Sequence, residues 1–108
     1  MNRYYDERIA AAQPLDGHRL LITFADGFSA PLDLAPLLDR GPIFEPLRDM
    51  DFFVRVAVLP DWGTVEWPNG LDLSPGSLRA WCEAGKYLDH DATNAWIDRH
   101  ADAPQKVA

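Results

Sequence analysis

P-L-D-G-H-R-L-L-I-T-F-A-D-G-F-S-A-P-L, residues 14–32, is the stretch whose reading decides the fold. Leu20, Ile22 and Phe24 alternate with Arg19, Leu21 and Thr23, the period of a half-buried strand. Asp16-Gly17 and Asp26-Gly27 flank that run, and Asp-Gly is a preferred hairpin pair because glycine reaches positive φ without a steric penalty. Alternation resumes from Phe28 to Leu32, with Phe28, Ala30 and Leu32 on one face. Upstream, Arg8 to Pro14 reads as a first strand, a helical turn being the alternative if alanine propensity dominates. Three strands joined by two tight turns predict an antiparallel meander.

Working outward, Asp33 is a plausible N-cap, and Leu34, Leu37 and Leu38 recur at helical spacing before Gly41. A second short turn follows at Phe44–Asp49, and the middle of the chain is expected to lend Leu37, Leu38, Phe44, Leu47 and Phe52 to one sheet face. Strand character returns over Val54–Leu59 and Thr64–Trp67, with Val65 and Trp67 facing one way. Ser74 as N-cap, Pro75 at the first helical position and Gly85 beyond the end bound the clearest helix, whose apolar face is Leu78, Trp81 and Cys82. Trp96 and Ile97 anchor a last helix capped near Asp91 or Thr93. The expected architecture is α+β: a small antiparallel meander with short helices and one C-terminal helix packed on it. Residues 1–85 form the single domain, and 86–108 a partly helical extension with a frayed end.

Composition narrows the function classes. The chain has 108 residues, one ordinary domain, with ten basic and seventeen acidic side chains for a net charge of −7. That balance opposes nonspecific adhesion to phosphate backbones or anionic membranes, so neither nucleic acid nor membrane is expected as a direct partner. A lone cysteine, Cys82, makes no internal disulfide, and the first seven residues carry no apolar signal segment, so the expected location is cytoplasmic.

No reactive constellation is visible. His90 between Asp89 and Asp91 looks ligand-like, but three sequence neighbours project in different directions, and neither paired histidines nor a cysteine pair occurs; no metal and no cofactor are expected. Cys82 sits in the C-terminal half of its helix, where the dipole disfavours a thiolate, and no serine lies in a G-x-S-x-G elbow. The expectation is a non-enzyme with no catalytic residues. Trp62 stands inside the turn Asp61–Gly63, where a small polar residue would be ordinary, which marks it as a candidate contact residue. In W-P-N-G-L-D, Trp67, Asn69 and Asp72 are the remaining binding candidates: an apolar wall, an amide and a charge. The competing reading makes Pro68-Asn69-Gly70 a turn and Asp72 a backbone support.

The succession L-x-I-x-F-x-D-G (Leu20–Gly27), Asp33-Leu34, F-E-P-L-R-D-M-D-F-F (Phe44–Phe53) and V-E-W-P-N-G-L-D-L-S-P (Val65–Pro75) resembles the bacterial family DUF2442 over Ile9 to Trp81. The family tends to place Glu, then Leu-Tyr, after that final proline; here Gly76 replaces the Glu and Arg79 the Tyr. The resemblance implies a small α+β domain without an established activity, encoded near toxin–antitoxin-like partners. The functional expectation is an acidic protein-interaction or accessory module with a protein partner, possible self-association resting on Trp96 and Ile97. The alternative is a small-ligand binder or enzyme at the Trp67–Asp72 turn.

Overall fold

The computed structural model describes residues 3–101. Strands β1 (Ile9–Pro14), β2 (Arg19–Phe24) and β3 (Ser29–Asp33) form the first sheet, with β2 central and both pairings antiparallel. Ile22 faces Ala12 on one side and Ala30 on the other, so the tight turns set the register from the sequence inward. Pro31 sits on β3, an edge strand, where its missing N–H removes no central ladder bond. Leu20, Ile22 and Phe24 are buried on the expected face, joined by Leu32. The mixed α+β architecture is as the sequence predicts.

A second antiparallel sheet follows: β4 (Ala57–Leu59), β5 (Thr64–Glu66) and β6 (Asp72–Leu73), in that order. The two sheets meet where the Ile9 amide donates to the Gly63 carbonyl at 2.8 Å. Gly63 has φ +67°, and an added Cβ would lie 3.0 Å from the Arg8 side chain, so this junction requires glycine twice over.

Between the sheets the chain forms 3₁₀ turns at Ala35–Asp39 and Pro42–Arg48 and the single α-turn α1 (Met50–Phe53). The helical spacing of Leu34, Leu37 and Leu38 therefore serves a tighter helix, and Asp33 acts as an Asx turn, its carboxylate accepting from the Ala35 amide at 2.9 Å. The strand expected over Val54–Leu59 is shortened to β4. Asp49 caps α1 by accepting from the Asp51 amide, the turn carries on through Val54, and Val54 is left 50% exposed. The same turn swings Phe53, rather than Phe52, fully into the core. There the Phe53 carbonyl accepts from Trp67 Nε1 at 2.9 Å, with the two rings 5.9 Å apart.

Helix α2 (Pro75–Ala84) has the anticipated boundaries. Ser74 Oγ accepts from the Ser77 amide, and Gly85, at φ +82°, donates to the Trp81 carbonyl. Leu78, Trp81 and Cys82 are buried, as their spacing implies. Helix α3 (His90–His100) is capped by Asp89, accepting from the Ala92 amide at 2.8 Å, and not by Asp91 or Thr93. Thr93 is instead buried, its hydroxyl accepting from Trp81 Nε1 at 2.8 Å and donating to the Leu88 carbonyl, which locks α3 onto α2. The stretch expected to fray lies largely outside the described residues.

Candidate functional site

Two polar arrangements stand out, one open and one closed. The open one begins at the β4–β5 turn. Leu59 accepts from both Trp62 and Gly63 amides, and this tight closure throws the Trp62 side chain outward, 75% exposed. Beside it lies a groove of about 550 Å³ lined by Leu59, Trp62, Thr64, Glu66, Asp72 and Pro75. Val65 turns into the core, so alternation sends Thr64 and Glu66 to the opposite, groove face. Asp72 pairs directly with Glu66 across β5 and β6, which places two carboxylates side by side. Neither carboxylate has an ion-pair partner among the described residues. Thr64 is satisfied through its hydroxyl donating to the Leu73 carbonyl. Across Trp62, Ser74 and Pro75 a second cavity of about 380 Å³ continues toward Tyr4, Glu7 and Arg8.

The four residues singled out from sequence are therefore split. Trp62 and Asp72 line the groove. Trp67 is buried on the far side, held by Phe53. Asn69 builds its turn: Oδ1 accepts from the Leu71 amide at 3.1 Å and Nδ2 donates to the Ile43 carbonyl at 3.4 Å. Glu66 is the charged groove residue that sequence reasoning passed over, and its place opposite Asp72 follows from the β5–β6 register.

The closed arrangement centres on Glu83. Its carboxylate accepts from Arg3 (3.0 Å to each oxygen), Tyr4 Oη (2.5 Å), Arg79 Nε (2.8 Å) and Trp96 Nε1 (3.2 Å). Burial opposes the charge, but those four donors outweigh it and hold the carboxyl at about 2. Burial and the bond to Glu83 push the Tyr4 hydroxyl up to about 12. Arg79 is itself buried, paired to Asp26 at 3.0 Å and Glu7 at 3.3 Å, with its guanidinium 4.4 Å from the Phe28 ring centre. Burial also pushes the Cys82 thiol up to about 11, away from the nucleophilic form.

This cluster uses the apolar face of α3 internally. Trp96 donates to both Tyr4 and Glu83, and Trp96 and Ile97 pack against the core, so the free face on which self-association was expected is occupied by the chain itself. Among the described residues no group of three His, Cys, Asp or Glu side chains could hold a metal ion, and no helix is long and apolar enough to cross a membrane. His90 shares a hydrogen bond with Asn94, while Asp89 is engaged as a cap.

The family model described as "Protein of unknown function (DUF2442)" matches residues 9–84, the span that carries both sheets and α2. The chain belongs to the DUF2442 family. No curated protein matches it. Among solved structures, this DUF2442 chain is similar to a Nitrosomonas europaea ATCC 19718 protein named "Putative DNA Binding Protein NE0471". The two are 28% identical with a TM-score of 0.67; the match covers 92% of this chain and 64% of that one, just under two-thirds of its length. That name runs against the expectation that this chain has no direct nucleic-acid partner, which is corrected accordingly. Net charge sums over a whole molecule, whereas a DNA contact needs only a local group of cations. The two departures from the family pattern also gain a reason. A Cβ at Gly76 would stand 2.9 Å from the Tyr4 carbonyl, and Arg79 reaches the acids Glu7, Asp26 and Glu83. Both admit the Arg3–Glu7 segment, which lies outside the matched span.

Proposed function

We propose that this DUF2442 domain is an accessory protein-interaction module that engages its partner through the groove beside Trp62. The observation that carries the reading is a tryptophan 75% exposed at the lip of an open groove, next to two carboxylates without an ion-pair partner among the described residues. Large aromatics at such positions are typical anchors of protein contacts. The net charge of −7 favours a basic partner, with association steered by the field and weakened by salt. No catalytic step belongs to this reading: the buried Cys82 thiol and the saturated Glu83 are both unsuited to reaction. A reducing, cytoplasmic setting fits the single buried cysteine. A small-ligand site at the Trp67–Asp72 turn is disfavoured because Trp67 and Asn69 are spent on structure.

The test is affinity purification from the native host with wild type and Trp62→Ser, at low and high salt. A stoichiometric protein retained only by wild type at low salt supports the reading. An identical, partner-free profile for both proteins overturns it. A second reading, direct DNA contact, is favoured by the named relative. Fluorescence anisotropy with duplex DNA over a salt series decides it, since the slope counts the phosphates engaged and its absence rejects the contact.

A further inference from the structure

We infer that the groove beside Trp62 binds an arginine side chain of an extended peptide segment, the guanidinium stacked on the Trp62 indole with its fork toward Glu66 and Asp72. The inference rests on the proposed interaction role and names the chemistry the site takes.

Three features converge on it. Like charges directly opposed in adjacent strands are destabilising, and Glu66 and Asp72 stand so without an internal cation among the described residues. Arg8, which lines the cavity across the Trp62 ridge, is engaged elsewhere, donating to the Pro60 carbonyl at 2.8 Å. An external cation would supply what the fold leaves out. Trp62 offers an indole at the groove lip, and tryptophan is the best ring for cation–π attraction. Arginine suits the pair better than lysine because its planar fork stacks on a ring while donating to two carboxylates at once. The space agrees with a peptide rather than a lone ion. The 550 Å³ groove and the 380 Å³ cavity adjoin at Trp62, Ser74 and Pro75, so there is space on either side of the Trp62 ridge for residues flanking the arginine. The same carboxylates repel phosphate, so at this surface a polypeptide is favoured over nucleic acid.

The experiment is a titration of the full chain with blocked Ala-Ala-Arg-Ala-Ala, followed by the four tryptophan indole N–H resonances, that of Trp62 being assigned with Trp62→Phe. Expected is a saturable shift of the Trp62 resonance, weakened by salt. Glu66→Gln and Asp72→Asn should each reduce affinity about threefold, as for exposed ion pairs. Relief of the opposed charges should also raise the melting temperature of each variant by about 2–4 °C. An equal shift with norleucine in place of arginine, an unchanged affinity in the double variant, or lowered melting temperatures would overturn the inference. So would saturation of the Trp62 resonance by an oligonucleotide and not by the peptide. Loss of a native partner by Trp62→Ser alongside a silent peptide titration removes the arginine assignment and leaves the interaction surface standing. The converse pair of results removes the interaction role alone.

Discussion

Glu83 receives hydrogen bonds from four side chains, and its substitution tests how much of the fold hangs on one carboxylate. Glu83→Gln leaves Arg3 and Arg79 partly uncompensated, so urea unfolding at pH 7 should show a loss of about 2–4 kcal/mol. The pH dependence has a definite sign. The folded carboxyl titrates at about 2 against an ordinary value of 4.5, so its stabilisation is present above 4.5 and disappears as pH falls toward 2. Glu7, raised chiefly by burial, contributes in the opposite sense: its share is present in acid and fades as pH rises. Wild type should therefore lose stability between about pH 4.5 and 2, and Glu83→Gln should be flatter across that window. On the groove side, Asn69→Ala should cost about 1 kcal/mol, because the Leu71 amide loses its acceptor. Trp62→Ala should stay within about 0.5 kcal/mol of wild type in thermal unfolding, since an exposed ring holds nothing together.

Among the elements, the packing of α2 on the Arg3–Asp6 3₁₀ turn turns on one missing side chain. Gly76→Ala improves helix propensity by about 1 kcal/mol, but its Cβ meets the Tyr4 carbonyl, and such overpacking costs about 1–3 kcal/mol. Net destabilisation is expected in denaturant unfolding, with faster hydrogen exchange in the first turn than in β2. Elements whose limits are set by neighbouring residues were legible from sequence. Asp16-Gly17 and Asp26-Gly27 closed the meander, and Ser74-Pro75 with Gly85 bounded α2. Val54–Leu59 misled because Asp49, five residues upstream, carries the helical turn into what alternation alone marks as strand. The Glu83 cluster was invisible for another reason: Arg3 and Glu83 are 80 positions apart, and no local pattern announces such a pairing. Half of the groove was legible in Trp62 and Asp72, as an odd residue in a turn and a charge after one. Glu66 needed the β5–β6 register.

For the molecule as a whole, Cys82 reports on cooperative opening. It is buried, with the thiol at about 11, so a thiol reagent at pH 7 should label the native protein slowly and at the rate of unfolding. Added denaturant should bring the labelling rate and the unfolding rate up together; fast labelling in its absence would show α2 and α3 parting on their own. The Arg3 guanidinium donates to the His100 carbonyl at 3.2 Å, so two points of the chain 97 positions apart are neighbours in space. That proximity makes circular permutation feasible: a short glycine-serine bridge from residue 100 back to residue 3 should close the ring without distortion, and new ends cut at Asp16-Gly17 should leave a protein that still folds.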